Sequence, residues 1–244
     1  MMAETTHDAF LSRMQNYTAP NPSLRNPRIS KESSDADLIE AGYLADNHVT
    51  WGFVIYRTTY LNNEAWIAFL PRLHWWTNDS MEIFNGQDVL DKMSWTIFDN
   101  AEEFENASVA DIREQFRSWT QTAVLSEQGV QEAGLSPRYR YCILVDSEAL
   151  ESCVSSPAPP DSDEDNQGWV KVIDKNFPLV HPLLKKRKEE SGYEEIDGIT
   201  EKHVGWVKCP YTSVMTEYYR LFRDLNGYMV SYRRPPAVIG YPWR

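Results

Sequence analysis

From Val49 to Tyr60 the chain alternates in a way that restricts its fold. Trp51, Phe53 and Ile55 fall on one side of an extended strand, and Val54 and Tyr56 on the other. A strand apolar on both sides belongs in the interior of a sheet. Arg138 to Asp146 repeats the pattern, with Tyr139, Tyr141, Ile143 and Val145 set against Arg140, Cys142 and Leu144. Two inner strands this far apart in sequence predict a sheet paired over long range.

The intervening segments supply its cover. Asn63 caps a helix carrying Trp66, Leu70 and Leu73, which Pro71 is expected to kink or end near Leu70. Met93 to Phe98 reads as a short strand and the acidic run Asp99 to Glu105 as a solvated connection. Ser108 with Asp111 forms a capping box, followed by an apolar stripe of Val109, Ile112, Phe116 and Trp119. Asp146 caps a short helix through Leu150 and Val154. Strands follow at Trp169 to Asp174 and at His203 to Tyr211. A last helix runs from Thr212 or Ser213 to Asn226 and Gly227, and a final strand from Tyr228 to Arg233 stops at Pro235 and Pro236.

This order predicts an α+β fold, with a mixed or antiparallel sheet, helices mainly on one face, and spacing that suits ferredoxin-like elements. Residues 1–45, with Pro20, Pro22 and Pro27, read as an irregular N-terminal arm. Residues 46–244 read as one domain holding a flexible acidic loop at 155–167 and a charged insert at 185–198. Nine Trp and thirteen Tyr supply the apolar area for a real core.

Charge and motif content narrow the function. A net charge of −12 repels a phosphate backbone, so no nucleic acid is expected as a partner. Neither a secretory signal nor an apolar run of about 20 residues is present, so no membrane partner is expected either. Cys142, Cys153 and Cys209 are an odd, widely spaced set that fits small buried thiols in a cytoplasmic or nuclear protein. Lys185 to Lys188 can serve as a nuclear import signal, though Glu189 and Glu190 beside it equally suit a solvated helix end.

Asp161, Asp163 and Asp165 alternate like a calcium loop, but Asn166 and Val172 stand where such a loop needs glycine and glutamate. The five histidines form no zinc pair, so no metal site is expected. With no Gly-rich phosphate loop and no nucleophile elbow, no cofactor is expected.

One pattern remains. Tyrosine adjoins arginine at Tyr56 and Arg57, from Arg138 to Tyr141, and from Tyr232 to Arg234. Were these strands neighbours, Arg57, Arg140 and Arg233 would converge on an anion between walls of Tyr56 and Tyr232. His203, near Gly205 and Trp206, and Asp174 are the candidate catalytic acid and base. The bland reading has the tyrosines filling the core while the arginines extend outward.

Three blocks also carry a resemblance. They are Gly-Phe-Val-Ile-Tyr-Arg-Thr-Thr-Tyr at 52–60, Arg-Tyr-Arg-Tyr-Cys at 138–142 and Tyr-Arg-Arg-Pro-Pro at 232–236. In these the chain resembles a family of uncharacterised intracellular proteins of filamentous fungi, which implies a non-secreted fungal protein and brings no activity with it. The resulting expectation is a small-molecule binding protein for an anionic or aromatic ligand, or a cofactor-independent enzyme of fungal metabolism. The alternative is a non-catalytic interaction or regulatory protein that meets a protein partner through residues 155–200.

Overall fold

The two doubly apolar segments lie side by side at the centre of the molecule. The computed structural model describes residues 33–161, 168–178 and 191–240. Its main sheet has the order β2 (Ile97–Phe98), β1 (Val54–Arg57), β3 (Tyr141–Val145), β4 (Trp169–Asp174) and β7 (Trp206–Pro210). β1 runs parallel to both neighbours, with Tyr56 opposite Phe98, Val54 opposite Cys142 and Arg57 opposite Val145. β4 is antiparallel to β3, with Tyr141 opposite Asp174, and to β7, with Ile173 opposite Trp206.

The fold is therefore α+β with a mixed sheet. Parallel neighbours on both sides of β1 replace the ferredoxin-like elements that the spacing suggested.

The alternation sorts side chains into two cores. Ile55, Tyr141, Ile143, Val145, Val172 and Val207 point to one face. There they meet α1 (Asp35–Ala45), α2 (Asn63–Ile83), α6 (Ser147–Ser155) and the C-terminal helical segments. Val54, Tyr56, Cys142, Leu144 and Ile173 point to the other. That face is covered by α5 (Val109–Gln128), through Ile112 and Phe116, and by the short α4 (Ala101–Phe104), through Phe104. Most of the helical cover is thus on one face, and one long helix closes the second.

Local signals account for the helix ends. Ser108 and Asp111 form the expected capping box, and Gly129 ends α5 in the left-handed region with φ of 69°. Asp146 caps α6 by accepting from Ala149 N at 3.0 Å. Cys142, Cys153 and Cys209 are free and buried.

Several elements depart from expectation. The end of the N-terminal arm is helical: Ser34 and Asp37 form a second capping box that starts α1. Pro71 sits inside α2 without ending it. Both Pro71 and Ile67, whose carbonyl loses its helical donor, are on the exposed side, while Phe69, Leu73 and Met81 anchor the buried side. Phe104 of the acidic connection is buried. Arg138 and Tyr139 belong to a 3₁₀ turn, Pro137–Tyr139, and the strand begins only at Tyr141.

At the C-terminal end a π-helical turn, Val214–Tyr218, leads into α7 (Tyr219–Leu221) and then α8 (Leu225–Ser231). Asn226 and Gly227 open this last helix instead of closing one, because Asp224 caps it by accepting from Asn226 N at 3.0 Å. A Cβ on Gly227 would lie 2.3 Å from the Leu221 carbonyl, so only glycine permits this close turn. Residues 228–231 are consequently helical, not the predicted strand. β5 (Ser191–Ile196), in the charged insert, forms a hairpin with β6 (Ile199–Glu201) just past it. Lys185 to Lys188, Asp163, Asp165 and Tyr241 to Arg244 lie outside the described residues.

Candidate functional site

The Tyr-Arg clusters part company in space. Arg57 ends β1 beside Val145, whereas Arg140 precedes the other end of β3. Five residues at about 3.3 Å each put them roughly 16 Å apart along the strands. Arg57 is also fully engaged. Its Nε donates to the Thr59 carbonyl at 2.8 Å, its Nη2 to Asn63 at 3.1 Å and its Nη1 to Asp99 at 3.3 Å, with the Tyr60 and Trp66 rings at 4.5 and 4.9 Å.

Tyr56 is core, stacked on Phe98 at 4.7 Å. Arg233 is exposed and donates to the carbonyls of Val230 and Tyr232 at 3.2 and 3.0 Å. The convergence of three guanidinium groups therefore does not occur. Helical backbone at 228–231 and the parallel register of β1 with β3 are the reasons.

A different set meets where β3 begins and β4 ends. Asp174, fully buried, faces Tyr141 across the ladder. Its Oδ1 accepts from Asn176 N at 2.8 Å and its Oδ2 from Arg140 Nη2 at 3.3 Å. From α5, Arg113 donates to the carbonyls of Asp174 and Gly205 at 3.1 and 3.3 Å. One turn later, Arg117 donates to those of Lys175 and Phe177, each at 2.6 Å.

His203 lies stacked on Tyr232 at 4.0 Å, with Phe177 at 5.8 Å. Gly205 is held at φ of 78°, where a Cβ would strike the Phe177 ring at 2.3 Å. From α8, Tyr228 brings its ring within 5.6 Å of His203 and 5.1 Å of Tyr141. Ser231 is one helical turn further on.

Five buried polar atoms here have no hydrogen-bond partner among the described residues: Arg140 Nε, Tyr141 Oη, His203 Nε2, Tyr228 Oη and Ser231 Oγ. Tyr232, by contrast, is fully used. Its hydroxyl accepts from Val204 N and donates to the Lys202 carbonyl, both at 3.0 Å.

Electrostatics sharpen the chemistry. Burial, reinforced by Arg113, lowers the His203 pKa to about 4, so the ring is neutral at neutral pH. Because Nδ1 accepts from Gly205 N at 3.2 Å, the neutral ring carries its proton on Nε2. His203 and Asp174 do not bond to each other, and each Asp174 oxygen accepts one hydrogen bond. Histidine thus offers a donor, and aspartate an anchor for Arg140. Burial pushes the phenols of Tyr141 and Tyr228 up, which keeps them protonated donors. Burial also raises Asp174 against the pull of Arg140, and lowers Lys175.

Of the residues named from the sequence, Arg140, Asp174, His203 and Tyr232 lie at this sheet end, beside Arg113, Tyr228 and Ser231, which the sequence reading did not name. Arg113 stands four residues after Val109 on the apolar stripe, a charged residue in a buried row that could have been noticed. Tyr228 and Ser231 share a face only in a helix, so the strand reading hid them.

Among the described residues, no His, Cys, Asp or Glu group could hold a metal ion, and no helix is long and apolar enough to cross a membrane. Compared with family models, curated proteins and solved structures, the chain matches none of them.

Proposed function

We propose that this chain is a small-molecule binding protein whose ligand docks at the sheet end formed by Arg140, Tyr141, Asp174, His203, Tyr228 and Ser231. One observation carries the reading: five buried polar atoms, drawn from three separate stretches of sequence, lack partners among the described residues. Each such atom costs about 1–3 kcal/mol when left unmet. Against a typical stability of about 5–15 kcal/mol such a set is costly, and a bound guest would supply the missing partners. The surrounding rings of Tyr141, Phe177, Tyr228 and Tyr232 give an aromatic wall.

The geometry favours binding over proton transfer, since the His203 lone pair is taken by Gly205 and Asp174 is held by Arg140 and the Asn176 amide. In this reading the protein is an intracellular member of the fungal group its three blocks resemble, and needs no cofactor to bind its ligand.

A thermal-shift screen of small acids, amides and phenols tests the proposal. Some compounds are expected to raise the Tm of the wild type while leaving Tyr228→Phe and Arg140→Gln unmoved. A panel without response, or responses equal in all three proteins, removes the reading.

A further inference from the structure

We propose that the group this cluster recognises is the carboxylate of a small organic acid, accepting from Arg140 Nε and His203 Nε2 and from hydroxyls among Tyr141, Tyr228 and Ser231. The inference rests on the binding reading above and adds the ligand's chemical class.

The argument is one of donor count. Arg140 Nε can only donate. His203 Nε2 also donates, because the opposite ring nitrogen already accepts from Gly205 N at 3.2 Å. The three hydroxyls can each supply a proton. The nearby acceptor that could have satisfied Arg140, the Asp174 carboxylate, takes Nη2 and leaves Nε bare. Two nitrogens that can only donate, beside three hydroxyls free to donate, suit a guest rich in acceptors. A carboxylate offers two oxygens with about four lone-pair directions and no proton to compete. A primary amide offers only half that acceptor set, together with two donors that would face donors.

Charge points the same way. Arg113, Arg117, Arg140 and Lys175 gather around this end of the sheet, where their mutual repulsion and their attraction to Asp174 are felt. The carboxylates against them are Asp174, Glu114, which pairs with Arg117 at 3.3 Å, and the exposed Asp224. A locally cationic end is notable in a chain of net charge −12. It suits a monoanion better than a phosphate dianion, whose second charge has no counterpart. It equally disfavours a cationic ligand.

Matched pairs give the test. Acetate with acetamide and benzoate with benzamide, together with inorganic phosphate, are titrated by calorimetry into the wild type, Arg140→Gln and Tyr228→Phe at pH 7. The acids are expected to bind saturably and at least tenfold more tightly than their amides. Arg140→Gln is expected to lose at least tenfold in acid affinity.

Amides or phosphate binding as well as the acids would overturn the carboxylate assignment while leaving the binding site itself standing. No binding at all, or acid binding indifferent to both substitutions, would remove both. If Arg140→Gln fails to fold, the acid-to-amide ratio of the wild type and its loss in Tyr228→Phe still decide the matter.

Discussion

Arginine takes three roles here, and its neighbours decide which. Arg57 is consumed by a loop, by Asp99 and by two aromatic rings. Arg138, fully buried, donates to Glu127 at 2.7 and 2.8 Å and to the Gly52 carbonyl at 2.8 Å, and so fastens α5 to the strand layer. Arg140 alone of the three keeps a buried nitrogen unbonded among the described residues. Adjacent Tyr and Arg were plain in the sequence, but which arginine would have an idle donor depended partly on contacts as far as 86 positions away.

His203 yields a pH prediction. Its folded pKa of about 4 lies below the ordinary 6.5, so the unfolded chain binds its proton first. Stability is then present above pH 6.5 and is lost as pH falls towards 4, by about 3 kcal/mol at most. His203→Gln should flatten this acid limb in urea titrations at pH 7, 5.5 and 4.5. Tyr228→Phe removes an unmet hydroxyl, so it should be neutral or stabilise by about 1 kcal/mol in the absence of ligand. Thermal unfolding would show this, alongside the loss of ligand response.

At the level of elements, the strong local signals were readable and the compromises were not. The capping box of α5 follows from Ser108 and Asp111 alone. Pro71 argued against a helix that packing by Phe69, Leu73 and Met81 nevertheless carries through. Tyr228 to Ser231 has the aromatic and β-branched content of a strand, and only the cap at Asp224 and the tight approach of Gly227 to Leu221 make it helical. Tertiary packing overrode propensity at Pro71, and a local cap and close turn overrode it at Tyr228 to Ser231.

The π-helical turn Val214–Tyr218 carries Glu217, whose pKa is pushed up to about 7 by burial and then by Asp35, against the pull of Arg220. The sign is opposite to that of His203. Stability from Glu217 is complete below its ordinary 4.5 and is lost as pH rises through about 7. Glu217→Gln should therefore stabilise the protein at pH 8 and change little at pH 4.5. A gain in Tm at both pH values alike would contradict this.

Across the whole molecule, the alternation of two segments was enough to anticipate inner strands of a sheet. Strand order and direction were not legible, because they depend on which distant segments pair. That same missing register decided the fate of the predicted site. β1 parallel to β3 sends Arg57 to one end of the sheet and Arg140 to the other. Arg57→Ala is accordingly expected to lower stability yet leave ligand responses unchanged, in thermal-shift assays run beside Arg140→Gln.

The ring nitrogens of His203 offer the most direct view of the occupied cluster. In protein labelled with ¹⁵N-histidine and titrated with benzoate at pH 7, the account predicts a neutral ring protonated on Nε2 and a saturable shift of that resonance. A protonated ring, or benzoate binding that leaves the His203 resonances still, would contradict it.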